Sequence, residues 1–189
     1  MAKVHTISSV VLPVVFVFWC CLVFIAGCKD SPKQAPEKQK AQGEENSLGE
    51  SSMVHLYFSD RENSFLIAEN RRILNQDDPI ALGTQILHAL LKGPQKALDR
   101  TIPVQTRLNA FYLAPNHIAF VDLSSEIMDN HPGGAESELL TIYSIVNSLI
   151  LNIPEIKAVK LLIDGREVPT LAGHIDLRSP FKANMLLIR

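Results

Sequence analysis

Residues 117–165 read HIAFVDLSSEIMDNHPGGAESELLTIYSIVNSLILNIPEIKAVKLLIDG, and this stretch decides the fold. In its first part, Ile118, Phe120 and Asp122 alternate with Ala119 and Val121, as the two faces of a half-buried strand do. Apolar residues then recur at helical spacing over 135–152, and Pro154 follows. This pattern predicts an amphipathic helix whose apolar side packs on the strand.

The end of the stretch predicts a further strand and a tight turn. Residues 159–163 form a strongly apolar run. Asp164-Gly165 is a dipeptide typical of hairpin turns, and it leads into 166–168 as a returning arm. Strand, helix and strand therefore follow one another within fifty residues or so, a spacing that suits a sheet with a helix packed against it.

The segments nearer the N-terminus supply another strand and another helix. Residues 54–59 place Val54, Leu56 and Phe58 on alternate positions, which predicts a strand, and a second short extended run follows at 64–69. Asp78-Pro79 has the form of an N-cap followed by proline at the first helical position. An apolar helical pattern follows, and Gly93-Pro94 ends it.

The remaining segment completes an α/β domain of the α+β kind. Residues 106–113 and 117–123 predict an antiparallel hairpin across the turn at 114–116. The order of elements is then strand, helix, strand, strand, helix, strand. This β-α-β-β-α-β order predicts a mixed or antiparallel sheet with the two helices packed on one face.

The N-terminus predicts export and lipid attachment. A basic start and an uncharged apolar run over 10–26 are typical of a secretory signal peptide. The run ends Ile25-Ala26-Gly27-Cys28, which resembles the bacterial lipobox. The resemblance implies that residues 1–27 are removed between Gly27 and Cys28 and that the Cys28 thiol carries the lipid. The alternative is an uncleaved signal anchor that crosses the membrane as a single helix.

Residues 28–52 predict a flexible tether. They are rich in Lys, Glu, Gln, Pro, Ser and Gly, and bury too little apolar surface to offset their ordering entropy. About two dozen flexible residues span roughly 25–30 Å, which holds the domain, residues 53–189, clear of the lipid headgroups. Lys29 directly follows the cysteine and Asp30 comes after it. This order favours the outer membrane in a bacterium with two membranes, and otherwise the protein belongs on the outer face of the cytoplasmic membrane.

The composition excludes several kinds of function. The 18 Lys and Arg residues against 20 Asp and Glu leave a net charge of −2, without the basic cluster expected of a nucleic-acid-binding protein. The three cysteines are Cys20, Cys21 and Cys28, and all precede the domain. The domain therefore has no thiol for a disulfide, a thiolate zinc site or a cysteine nucleophile.

Asp122, His174 and Asp176 form the candidate polar cluster. His174 and Asp176 lie two residues apart in an extended stretch, so they can share a face, and Asp122 lies in a predicted strand. A metal site needs three or four converging ligands, and no spacing here supplies them. We therefore expect no metal, no cofactor and no enzyme activity. The plainer interpretation is that Gly173 permits a bend, His174 and Asp176 bond to nearby backbone, and Asp122 caps the turn after its strand.

Seven short motifs, taken in their order and spacing, resemble one known family. They are LYFSD (56–60), LLKGP (90–94), IP (102–103), AFVDLS (119–124), IYSIVNSL (142–149), IDGR (163–166) and LAGHIDL (171–177). Over residues 54–181 the chain thereby resembles the GerMN domain of sporulation and germination lipoproteins. The resemblance implies a small α/β fold related to the ring-building modules of secretion and sporulation channels, attachment to the envelope, and no known enzyme activity. The chain carries one copy.

Two hypotheses on function follow. The first is a non-catalytic envelope lipoprotein, anchored to the membrane through Cys28. It would assemble with or scaffold envelope protein complexes by binding other envelope proteins or itself, and a role in sporulation or germination is included. The alternative is a lipoprotein that binds or hydrolyses cell-wall glycan, with Asp122 and Asp176 as paired carboxylates.

Overall fold

The computed structural model of the chain describes residues 51–189. The predicted signal peptide 1–27, the cleavage and lipidation positions Gly27 and Cys28, and the tether up to residue 50 lie outside these residues. The first strand begins at Ser51, two residues before the predicted boundary, because Ser51 and Ser52 already pair with the neighbouring strand. Within residues 51–189, no helix has the length and apolar character needed to cross a membrane.

The predicted class, a mixed α/β domain, is confirmed. The elements are β1 (Ser51–Ser59), β2 (Leu66–Leu74), α1 (Pro79–Lys92), β3 (Leu108–Leu113), β4 (Ile118–Leu123), the short α2 (Glu126–Asp129), α3 (Ala135–Ile150), β5 (Ala158–Ile163) and a 3-10 turn (Met185–Leu187).

The strands form two sheets rather than a single one. β1 and β2 pair antiparallel over nine residues each, so the short run expected at 64–69 extends to Leu74. In the second sheet, of order β3-β4-β5, β3 and β4 form the predicted antiparallel hairpin and β4 pairs parallel to β5. The parallel pairing follows from the α3 crossover between β4 and β5.

The turn after β5 is present, but its returning arm is not a strand. Asp164 and Gly165 have φ of 47° and 73°, the positive values that a type I′ turn requires. After this turn only one bridge forms, between Ile163 and Arg166. The outer side of β5 is instead paired at Val159 with Phe181, through two backbone hydrogen bonds of 2.8 Å. A different segment therefore takes the place expected for 166–168.

One core unites the two sheets and the two long helices. Apolar side chains from every layer are buried in it, among them Leu56, Phe58, Ile86, Leu90, Val121, Ile142, Val146 and Leu161. Asp78 caps α1 as predicted, because its carboxylate accepts the N–H groups of Ile80 and Ala81. Gly83 brings α1 close to β3, since a Cβ at this position would overlap the ring of Phe111.

Helix α3 covers the free edge of β1 with polar side chains. Tyr57 N–H donates to Ser148 Oγ (3.0 Å), and His55 exchanges two hydrogen bonds of 2.9 and 2.8 Å with the Asn152 amide. Ser59 pairs in the same direction with Asp99. Residues 55, 57 and 59 thus point their backbone groups away from β2, and α3 closes that side of the sheet.

Candidate functional site

The structure gives the members of the predicted polar cluster separate hydrogen-bond partners. Asp122 lies in β4, buried, and its Oδ1 accepts the N–H of Gly165 at 2.8 Å. It therefore caps the turn after β5 and not, as expected, the turn that leaves its own strand. No hydrogen bond or ion pair joins Asp122 to His174 or to Asp176, all three of which lie within the described residues.

Asp176 is exposed and bound to Arg178. The two side chains meet in a bidentate pair, with distances of 2.9 Å from Nε to Oδ1 and 2.8 Å from Nη2 to Oδ2. The Arg178 N–H donates to the same carboxylate at 2.9 Å. These side-chain and backbone hydrogen bonds from Arg178 lower the pKa of Asp176 to about 2. The Asp176 carboxyl is therefore ionised at neutral pH. It is not suited to act as a general acid, because a general acid has to carry a proton.

His174 leads to a residue that the sequence interpretation missed, the fully buried Glu138 of α3. Glu138 Oε2 accepts the N–H of His174 at 2.9 Å and lies 3.3 Å from its ring Nδ1. Its Oε1 accepts the N–H groups of Leu171 and Ala172 at 2.9 and 3.1 Å. One carboxylate thus fastens the whole segment that contains the LAGH motif to the start of α3.

The pKa of Glu138 reflects this backbone cradle. Burial on its own would raise the pKa, but the N–H groups of residues 171, 172, 174 and 175 outweigh burial and lower the pKa below 4.5. Glu138 had a signal in the sequence, because it precedes Ile142, Ile145 and Leu149 by four, seven and eleven positions. This spacing places it on the apolar stripe of α3, where an acidic side chain must find hydrogen-bond donors.

A further half-buried ionisable residue, His131, lies just before α3. Its Nδ1 accepts the N–H of Gly133 at 3.0 Å, and its Nε2 lies 3.1 Å from the hydroxyl of Thr141. Burial, more than the neighbouring charges, lowers the pKa of His131. The lowered pKa favours the neutral ring, and a neutral ring that accepts the Gly133 N–H at Nδ1 carries its proton on Nε2. No group of three or more His, Cys, Asp or Glu in residues 51–189 is placed to hold a metal ion.

The buried lysine of β5 is also held by the fold. Lys160 Nζ donates to the carbonyl oxygens of Leu177 and Arg178 at 3.1 and 2.6 Å and to the Glu167 carboxylate at 3.0 Å. These three acceptors match the three donors of an ammonium group. Lys160 therefore fastens residues 177 and 178 to the sheet, whereas Glu138 fastens residues 171–174 to α3.

Two depressions lie around one face of α1. A cavity of about 300 Å³ separates the end of β2 from α1, lined by Arg71, Arg72, Ile73, Gln85, His88, Ala89, Lys92 and Gln95. A second, of about 400 Å³, shares His88 and Lys92 and extends to Arg107. We call the first cavity the basic groove. Of the residues that line this groove, only Arg71 forms an ion pair within residues 51–189, and its partner is Glu69.

The comparisons with known proteins agree with the fold. A family model named Germane, described as sporulation and spore germination, matches residues 55–169. A candidate lipoprotein from Clostridium perfringens is similar in structure at 27% identity, with a TM-score of 0.51, over 72% of this chain and 89% of that one. No curated protein matches the sequence.

Two structures of the sporulation protein GerM from Bacillus subtilis are similar as well. Both align at 21% identity with a TM-score of 0.57 over 70% of this chain. The alignment covers 97% of the first GerMN domain alone but 46% of the tandem of two GerMN domains. The chain therefore spans about half the length of the tandem and corresponds in fold to one GerMN domain.

Proposed function

The chain belongs to the Germane family of sporulation and spore germination domains, and from this premise we propose that it is a non-catalytic lipoprotein of the cell envelope that binds other envelope proteins. The domain would act as a module in the assembly of a protein complex. A role in sporulation or germination is the one that the family description supports.

One observation carries the proposal. The buried ionisable side chains hold the fold together. Glu138 and Asp122 accept backbone N–H groups inside the domain, and Lys160 has three acceptors. A catalytic acid, base or nucleophile must present a free atom to its substrate. A domain built in this way is better suited to binding than to catalysis.

The location is proposed from the sequence and from a relative. Cys28 follows a lipobox-like motif, and a structural relative from Clostridium perfringens is itself described as a candidate lipoprotein. Two or three acyl chains at Cys28 would anchor the protein durably, since each buried CH₂ contributes about 0.8 kcal/mol. In a bacterium with two membranes, Lys29 favours the outer one.

No contact among residues 51–189 supports the glycan alternative. A glycosidase places two carboxyl groups on opposite sides of one bond, and one of them has a raised pKa. Here Asp122 is buried against Gly165, and the pKa of Asp176 is lowered to about 2. These two carboxylates therefore lack the arrangement of a glycosidase pair.

Crosslinking of the full-length chain in its own cells tests the proposal. We expect a lysine-reactive crosslinker to capture a defined envelope protein. The Asp176→Asn variant should capture it equally well, as should the matched control Asp129→Asn, which also removes an exposed carboxylate. Capture of no envelope protein would contradict the binding role. A cellular defect in Asp176→Asn alone, with the fold intact, would instead indicate chemistry at that carboxylate.

A further inference from the structure

The outer edge of β2 is open. β1 directs residues 55, 57 and 59 away from β2, and these residues stand opposite Asn70, Ala68 and Leu66. In an antiparallel pair, two residues directly opposite each other point their backbone N–H and C=O groups either both towards the partner strand or both away from it. The backbone groups of positions 66, 68, 70 and 72 therefore point outward. At 68, 70 and 72 they have no hydrogen-bond partner within residues 51–189.

This edge already accepts an extended segment at one end. Ile188 forms a parallel bridge with Leu66, and the N–H of Arg189 donates to the Leu66 carbonyl at 3.0 Å. The direction of this segment carries it towards Ala68. The geometry of the edge thus permits strand pairing, and the next three outward positions continue the same line.

A helix provides the floor beside the open edge. Gln85, His88, Ala89 and Lys92 of α1 line the basic groove at positions i, i+3, i+4 and i+7, so they form one stripe of the helix. The groove separates this stripe from residues 71–73 of β2. A strand added to β2 would direct every second side chain towards α1. An open strand edge beside a helix is a recurrent arrangement for binding extended peptides.

The charges of the groove select the chemistry of the partner. Arg72 and Lys92 are exposed, and neither forms an ion pair with residues 51–189. Arg71 is neutralised by Glu69, and the carboxylate of Asp78 is used to cap α1. The surplus charge is positive, and an acidic segment would complement it.

We infer that an extended acidic segment of a partner envelope protein adds to β2 as a further strand along residues 68–72, with side chains in the basic groove. This inference rests on the proposed binding function and specifies how the binding takes place. Backbone pairing supplies affinity, Lys92 selects acidic side chains that point towards α1, and Arg72, on the opposite face of β2, selects them at the alternate positions.

A photo-crosslinking experiment on the full-length protein in its own cells tests the inference. Benzoylphenylalanine is placed at Gln85 in the groove, and the captured peptide is sequenced by mass spectrometry. The backbone variant is Asn70→Pro, which removes an outward N–H and is tolerated at a strand edge. Its matched control, Asn70→Ala, loses the same side chain and keeps the N–H.

We expect capture of an acidic segment by Asn70→Ala and about tenfold weaker capture by Asn70→Pro. Lys92→Glu should weaken capture, whereas Lys182→Glu, an equal charge change on an exposed residue outside the groove, should not. The charge pair keeps the test decisive if Asn70→Pro fails to fold.

The other outcomes contradict the inference. Equal capture by Asn70→Pro and Asn70→Ala, together with an unaffected Lys92→Glu, would place the partner elsewhere. A crosslink to a second copy of this chain, to phospholipid or to a basic segment would identify a different occupant. If the lysine-reactive reagent captures an envelope protein but benzoylphenylalanine at position 85 captures none, the proposed function stands and this inference fails. If neither captures one, both fail.

Discussion

A buried carboxylate loses its hydrogen bonds to water, and hydrogen bonds within the protein must replace them. At Glu138 the replacements are backbone N–H groups from a segment more than thirty residues later in the chain. The bonds order that segment and stabilise the ionised group together. The contribution of Glu138 to stability therefore depends on its charge, and a neutral side chain of the same shape reveals it.

Glu138→Gln should lower the free energy of unfolding by about 2–3 kcal/mol, because the amide group turns a donor towards donors and leaves N–H groups unpaired. Urea denaturation followed by circular dichroism measures this difference. The matched control is Glu136→Gln, an exposed acid in the same helical turn, for which we expect a change within about 0.5 kcal/mol. An equal effect of the two substitutions would show that the buried cradle contributes nothing.

Acid should destabilise the domain in two steps. Burial lowers the pKa of His131 below 6.5, so protons bind preferentially to the unfolded chain as the pH falls past that value. The backbone N–H groups lower the pKa of Glu138, so its contribution is lost as the pH falls below 4.5. Unfolding titrations across this range test the sign. Glu138→Gln should reduce the lower step, and it should also deepen the upper one, because the Glu138 charge raises the pKa of His131. Stability that increases on acidification would contradict both assignments.

At the scale of elements, α1 and β3 pack closely because Gly83 has no side chain. Gly83→Ala would gain about 1 kcal/mol of helix propensity, but the new methyl overlaps the Phe111 ring and overpacking costs about 1–3 kcal/mol. We expect a net loss of up to about 2 kcal/mol, measured by thermal denaturation. His88→Ala on the exposed face of the same helix is the control, and it should leave the midpoint nearly unchanged. A stabilised Gly83→Ala would show that the close approach is not tight.

The contact between α3 and β1 supplies a further prediction. Ser148→Ala removes the acceptor of the buried Tyr57 N–H, which should cost about 1–3 kcal/mol. Amide hydrogen exchange should then show faster exchange in β1 while β4 and β5 keep their protection. Ser137→Ala, half-buried on the same helix, serves as the control. Uniform loss of protection in both variants would show that the effect is not local.

The elements that the sequence predicted correctly are those whose pattern is local. Asp78 and Gly93 mark the ends of α1, and the stripe of α3 is visible at helical spacing. The sequence pattern predicts β2 only as far as residue 69, because Glu69 and Arg71 interrupt the apolar side. These two residues are buried because they bond to each other and to the loop after α1. The partners that stabilise these buried charges come from a loop that is distant in sequence, so the sequence of β2 shows no periodic pattern that would reveal them.

The candidate site was harder to predict than the elements. Spacing alone allowed His174 and Asp176 to share a face, but it could not show that each residue had its own partner. His174 bonds to Glu138 and Asp176 to Arg178. Which strands share a sheet is also a long-range property, and the division into two sheets followed from pairing that no single segment encodes.

At the scale of the whole molecule, a folded module follows a predicted anchor, and the proposed function needs both. The module corresponds to one GerMN domain, since the alignment covers 97% of the first GerMN domain of GerM but 46% of the tandem. In the proposed mode of binding, the open edge of β2 is the place for an extended partner. The tether predicted at 28–52 would let that edge reach partners within roughly 25–30 Å of the membrane.

Labelling of cells with a palmitate analogue tests the anchor. The full-length chain should incorporate the label, and Cys28→Ala should abolish it, because only a thiol at that position can accept the diacylglyceryl group. Cys21→Ala is the matched control, since it removes a cysteine from the apolar run without changing the lipobox-like motif, and it should label normally. Cys28→Ala should also retain its signal peptide, visible as a larger band. Unchanged labelling of Cys28→Ala, or a chain of one size in both variants that stays in the membrane, would favour the uncleaved signal anchor.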